Sequence, residues 1–183
     1  MYSYMIRSII FLTWLSIIVV SNPVVLSAAE NTKKLNTYSD WVVFKDNEFC
    51  WAVSLPVSSQ ASRNGKPFDL TNKRYDVLLY VLFKPKLDNK LAVMFTPGFP
   101  PQKVEFIAGS RSQSFSIDGE WASAPSNEAI PLAKRIMSDS KLTIASVSKG
   151  GVSAEDTFSL RGSKAAINEA GKACGIKTNF LNN

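Results

Sequence analysis

The sequence predicts a mainly β fold, an antiparallel β-sandwich or partly closed barrel of about eight strands with two short helices, one of them C-terminal. Three observations lead there. Short runs of alternating apolar and polar residues recur along the chain, as where Phe158 and Leu160 alternate with Thr157 and Ser159, the mark of a half-buried strand. Turn-forming pairs such as Asp46-Asn47, Asp118-Gly119 and Gly150-Gly151 separate these runs at hairpin spacing. Helical spacing is confined to two short stretches, whereas a parallel doubly wound sheet would alternate its strands with long helices.

Residues 1–29 carry one early positive charge, Arg7, an apolar run from Ile9 to Val20, and small residues at Ser27, Ala28 and Ala29. This is the pattern of a cleavable export signal, with Ser27 and Ala29 at the minus-three and minus-one positions. The rival is a membrane anchor, because a spanning helix needs about 20 apolar residues. Asn22 and Pro23 interrupt the run, and no cysteine near the cleavage site supports a lipid anchor. Residues 30–36 then read as a polar, flexible leader. Residues 37–183 read as a single β-rich domain, periplasmic or displayed outside the cell.

The first strand of that domain is expected over residues 41–45, with Trp41 and Val43 on one side and Val42 and Phe44 on the other. Asp46 and Asn47 turn the chain into a second strand, residues 49–55, which groups Trp51, Val53 and Leu55 against Cys50, Ala52 and Ser54. Trp41 and Trp51, flanked by valines, are taken as core in preference to an exposed platform for sugars. Residues 56–72, rich in Ser, Asn, Gly, Pro and charge, read as a long surface loop. The run over residues 75–84 is apolar on both faces, as a central, doubly covered strand would be.

Residues 91–96 form the next strand, stopped by Pro97, Pro100 and Pro101. A hairpin is expected between residues 104–107 and 114–118 around Gly109 and Ser110, with Phe115 and Ile117 alternating with serines and Trp121 following. Ala129, Ala133, Ile136 and Met137 predict a short helix within residues 126–137, with Pro131 in its first turn. A last hairpin pairs residues 141–147 with 155–160. It leads through Gly162 and a capping Ser163 into a helix whose Ala166, Ile167, Ala170 and Cys174 share one face, opposite Lys164, Asn168 and Lys172.

Cys50 and Cys174 are the two cysteines of the chain, and in an oxidising compartment they have one intramolecular pairing available. Closing a loop of about a hundred residues removes roughly 4.7 kcal/mol of unfolded-state freedom, an upper figure. The expected disulfide staples the C-terminal helix to the second strand. No Cys-x-x-Cys spacing suggests redox catalysis.

The run Ser159-Leu160-Arg161-Gly162-Ser163-Lys164-Ala165-Ala166-Ile167 resembles the C-terminal signature of the invasion-associated locus B family of alphaproteobacterial exported proteins. The resemblance extends to Asp40-Trp41, the Cys50-Trp51-Ala52-Val53-Ser54-Leu55-Pro56 strand, the Pro97-Gly98-Phe99-Pro100 corner and Trp121-Ala122. Ser163 stands where the family usually has an aromatic residue, and the extra cysteines of some members are absent here. The resemblance implies an exported envelope protein, with a part in host-cell invasion in some relatives.

The chain holds no histidine, which removes the commonest general base, metal ligand and triad member. Asp69, Asp76, Asp118 and Asp156 are scattered, without calcium-loop or phosphate-cradle spacing, so neither cofactor nor metal is expected. Ser146, Ser148 and Lys149 are close enough in sequence for a Ser-Lys nucleophile, although strand alternation yields such neighbours routinely. Without Arg7, the 21 Lys and Arg become 20 against 15 Asp and Glu, a net charge of 20 minus 15, or +5. Among the local concentrations, Arg63 with Lys66 and Lys73 with Arg74 are the expected contacts for weak binding to anionic lipid or polysaccharide. Nucleic acid is not an expected partner behind an export signal. The functional expectation is an exported, non-enzymatic envelope or interaction protein whose partner is another envelope or host protein. The alternative is a small periplasmic ligand-binding protein or a hydrolase that works without histidine.

Overall fold

The computed structural model describes residues 31–71, 73–85, 91–108 and 111–182. The expected signal segment, Asn72, residues 86–89 of the connector after Lys84, and the Gly109-Ser110 turn lie outside the described residues. In chain order the strands are β1 (Lys33–Tyr38), β2 (Trp41–Lys45), β3 (Cys50–Ser54), β4 (Pro56–Arg63), β5 (Lys66–Pro67), β6 (Leu78–Phe83) and β7 (Leu91–Thr96). Then come β8 (Pro101–Ala108), β9 (Arg111–Ser114), β10 (Ser116–Asp118), β11 (Trp121–Ser123), β12 (Lys141–Ser148) and β13 (Val152–Ser159). Helix α1 (Ala129–Ser138) precedes β12, and α2 (Ser163–Ala173) follows β13. Among the described residues, no helix is long and apolar enough to cross a membrane.

Two sheets form a sandwich. One has the order β1-β2-β3-β6-β7-β11-β10 and the other β5-β4-β13-β12-β8-β9, and both keep free edges rather than closing into a barrel. Their inner faces share one core, in which Trp41, Leu79, Val81 and Phe95 of the seven-stranded sheet meet Val104, Ile144 and Phe158 of the six-stranded one. Phe95 and Phe158 cross edge to face with ring centroids 6.0 Å apart, a geometry their quadrupoles favour. The Trp41 indole N–H, buried with its ring, donates to the Ser159 carbonyl at 3.1 Å and so ties the two sheets at their shared end.

Both helices pack on the inner side of the seven-stranded sheet. Pro131 falls in the first turn of α1, where its missing N–H costs nothing, and Ala129, Leu132, Ala133 and Ile136 face inward. In α2 the buried set is Ser163, Ala166, Ile167, Ala170 and Gly171, small side chains that let the helix lie close to the sheet. A Cβ at Gly171 would meet Thr178, Ile176 and the Phe83 ring. The Cys50–Cys174 disulfide fixes this docking, with α-carbons 5.8 Å apart.

Residues 33–36 of the expected flexible leader belong instead to β1, paired antiparallel with β2, and five further expectations need correction. Residues 56–72 are not a loop throughout: β4 pairs with β13 from Pro56↔Phe158 to Arg63↔Val152, and β5 extends it. The strand is hidden in the sequence because Ser58, Gln60 and Ser62 on one side and Ser59 and Ala61 on the other include no bulky apolar residue. Second, the inward face of β3 is Cys50, Ala52 and Ser54, so Trp51 lies on the outer surface and not in the core. Third, β6 is central but covered on one face only: Leu79, Val81 and Phe83 are buried, whereas Leu78, Tyr80 and Leu82 are half-buried. Fourth, the strand expected over residues 114–118 breaks at Phe115, whose buried ring marks where the chain leaves β9 in one sheet for β10 in the other. Finally, Ser163 does not cap α2. Gly162 occupies that position at φ 90°, pressed against the Tyr38 carbonyl where a Cβ could not fit, and the Ser163 hydroxyl donates instead to the Ile136 carbonyl of α1 at 2.6 Å.

Candidate binding face

Alternation along β2, β3, β6 and β7 sends one set of side chains into the core and the other set out. The registers Phe44↔Trp51, Trp51↔Leu82 and Leu82↔Ala92 align one outward row across four strands. The registers Val42↔Val53, Val53↔Tyr80, Tyr80↔Met94 and Met94↔Ser123 align the next. Phe44 and Trp51 stack with centroids 5.8 Å apart and planes 19° from parallel. Tyr80 and Trp121 meet at 5.5 Å with a 46° tilt. Phe44, Trp51 and Tyr80 are half-buried, and Trp121 keeps 43% of its surface exposed. A contiguous, partly exposed aromatic patch is the kind of surface that partners cover.

The face is concave. A hollow of about 340 Å³ is lined by Asp46, Phe49, Trp51, Tyr80, Leu82, Met94 and Trp121. A neighbouring hollow of about 570 Å³ shares Met94 and Trp121 and adds Lys84, Ala92, Asp118, Ser123, Ser126 and Ala129 among others. Both volumes fall in the range of small-molecule sites, about 300–1,000 Å³. The Asp46 carboxylate accepts the backbone N–H groups of Glu48 and Phe49 at 2.7 and 2.6 Å, and this local turn holds the Phe49 ring beside Trp51. Lys84 Nζ stands 5.9 Å from the Phe49 ring centroid. Burial, followed by the Asp76 carboxylate, pushes the Tyr80 phenol up to about 12, so at neutral pH it is an uncharged hydroxyl.

The cationic residues singled out from the sequence gather elsewhere, at the edge of the six-stranded sheet. Arg63 and Lys73 both stand over the Phe68 ring, at 4.3 and 4.7 Å from its centroid, and Lys66 pairs with Arg63 across β4 and β5. Phe68 also lines an open hollow of about 780 Å³ whose charged lining residues are Asp69 and Glu155, so the hollow itself is acidic and the cations do not line it. Arg74 points the other way. Its side chain, 8% exposed, forms a two-pronged ion pair with the fully buried Asp156, Nη2 to Oδ1 at 2.6 Å and Nη1 to Oδ2 at 3.0 Å. Ser59 donates to Asp156 at 2.6 Å and receives Arg74 Nη2 at 2.8 Å, while Pro97 supplies a carbonyl to Nη1 at 3.3 Å. Arg74 therefore clamps β4 and β13 to the loop after β7.

The Ser-Lys neighbours do not assemble. Ser146 is 1% exposed inside the sandwich, Ser148 accepts the Val152 N–H at 3.0 Å, and Lys149 sits in the exposed turn beyond. Ser146 Oγ has no hydrogen-bond partner and lines no described hollow. Among the described residues, no three Asp, Glu or Cys side chains come together as a metal site.

The aromatic face was missed because Trp51 and Val53 are more apolar than Cys50, Ala52 and Ser54, so hydropathy alone turns β3 the wrong way. The signal that finds it is the expected disulfide: a cysteine bonded to a core-facing helix must point inward, which sends Trp51 out. No family model, curated protein or solved structure matches the chain.

Proposed function

We propose that the protein is an exported, non-enzymatic envelope or interaction protein, of the kind the invasion-associated locus B resemblance implies, and that it works through the outer face of the seven-stranded sheet. One observation carries this reading: Phe44, Trp51, Tyr80 and Trp121 form a concave aromatic surface, half-buried at the first three rings and exposed at Trp121. Keeping such rings in water is unfavourable by roughly 25 cal/mol per Å² of apolar area, and a partner that covers them recovers that energy. The disulfide fits an oxidising compartment, where such bonds form and persist. The +5 charge expected of residues 30–183 favours weak, salt-sensitive attraction to anionic lipid or polysaccharide through Arg63, Lys66 and Lys73, on a separate surface.

The test is photo-crosslinking in the intact envelope. A benzophenone amino acid at position 94, in the floor of the groove, should give a discrete crosslinked product. The same group at position 141, exposed on the other sheet, should not. Equal labelling from both positions, or none from position 94, contradicts the proposal.

A further inference from the structure

Resting on the binding-face reading above, we infer that the groove on either side of Trp121 takes a neutral glycan, with sugar rings stacked on Trp51, Tyr80 and Trp121. The two hollows meet at Met94 and Trp121, so they form one groove with an aromatic end and a more polar end. A pyranose presents that same pair of surfaces. Its C–H face carries slight positive charge and suits the negative face of an aromatic ring. Its hydroxyls both donate and accept, and so can use a lysine, a carboxylate and a serine together.

The mixed charge of the groove lining favours a neutral ligand over a charged one, and its more polar end favours a polyhydroxyl over a wholly apolar one. Lys84 Nζ already occupies the space over Phe49, so a cationic ligand entering the aromatic end would face a like charge. Asp46 lines that end and Asp118 the other, so an anionic chain would face like charges at both. A neutral polyhydroxyl ligand meets neither penalty. The cationic cluster around Phe68 lies on the other sheet and does not offset Asp46 or Asp118.

The experiment uses the protein after export, purified from the periplasm and titrated with cellotetraose, chitotetraose and maltotetraose while tryptophan emission is followed. Trp14 lies in the segment expected to be removed on export and Trp41 is fully buried, so a change in emission reports chiefly Trp51 and Trp121. At least one oligosaccharide should shift the emission saturably. Trp121→Leu and Trp51→Leu, which keep apolar bulk but lose the flat ring, should each weaken binding by about tenfold or more. Asp118→Asn, which removes the charge but keeps the shape and an accepting oxygen, should weaken binding less than Trp121→Leu does. Thermal midpoints near that of the parent protein establish that each variant is folded.

Absence of binding for all three oligosaccharides at millimolar concentration overturns the inference. So does loss of binding in Asp118→Asn with retention in Trp121→Leu, which would mark recognition by charge. If no oligosaccharide binds while position 94 still crosslinks to an envelope component, the glycan falls and the binding face stands. If crosslinking fails as well, both fall. A concentration-dependent dimer abolished by Trp121→Leu would assign the face to a second copy of the chain and also overturn the glycan.

Discussion

Cys50 and Cys174 join the inward side of β3 to the end of α2 across a sequence separation of 124, and this bond decides which way the neighbouring Trp51 faces. With Cys50 fully buried, alternation places Trp51 on the opposite surface, against Phe44. The covalent tie and the aromatic face are thus two sides of one strand. Replacing both cysteines by serine should lower stability by about 2–5 kcal/mol, read as a fall in the denaturant midpoint. Non-reducing peptide mapping of exported protein should recover the Cys50–Cys174 pair; free thiols at both positions would contradict it.

Ala170 is fully buried where α2 meets the sheet. Ala170→Phe should overpack that contact and cost about 1–3 kcal/mol. Lys164→Ala and Lys172→Ala, on the exposed side of α2, should stay within about 0.5 kcal/mol. Urea melts of the three variants check the orientation of the helix.

The Arg74–Asp156 clamp should be asymmetric in its response to mutation. Arg74→Ala leaves Asp156 buried without its counter-charge and should cost about 3–5 kcal/mol. Arg74→Met combined with Asp156→Leu removes both charges and should recover most of that loss, so the two changes will be far from additive in a double-mutant cycle.

Tyr80 sets an alkaline limit. Burial first, then Asp76, raises its phenol from 10.0 to about 12, so the folded state prefers the neutral form. Its stabilising contribution is complete below the unfolded value of 10.0 and is lost as pH rises toward 12. Tyr80→Phe should flatten the decline in thermal midpoint over that window. An unchanged decline would place the cause elsewhere.

The C-terminal strand, turn and helix were legible because Phe158, Leu160, Ile167 and Ala170 combine clear periodicity with large or closely packed apolar side chains. β4 was not, since a strand with Ser58, Gln60 and Ser62 on one side and Ser59 and Ala61 on the other carries its stability in backbone pairing to β13, which composition does not record. Phe115 was rightly apolar within a strand-like run, but its crossing from one sheet to the other is a tertiary event. Arg74 looked like surface charge because its partner, Asp156, lies 82 residues away in sequence. Trp51 read as core because its flanking valines suggested packing, whereas burial of Cys50 sends it to the outer surface.

The central claim is that the aromatic face is covered when the protein is at work. Hydroxyl-radical footprinting of Trp41, Trp51 and Trp121, in the purified protein and again in the intact envelope, tests it without knowledge of the partner. The account predicts that Trp41 is unreactive in both, and that Trp51 and Trp121 react in the purified protein and are protected in the envelope. Equal reactivity of Trp51 and Trp121 in the two settings would contradict it.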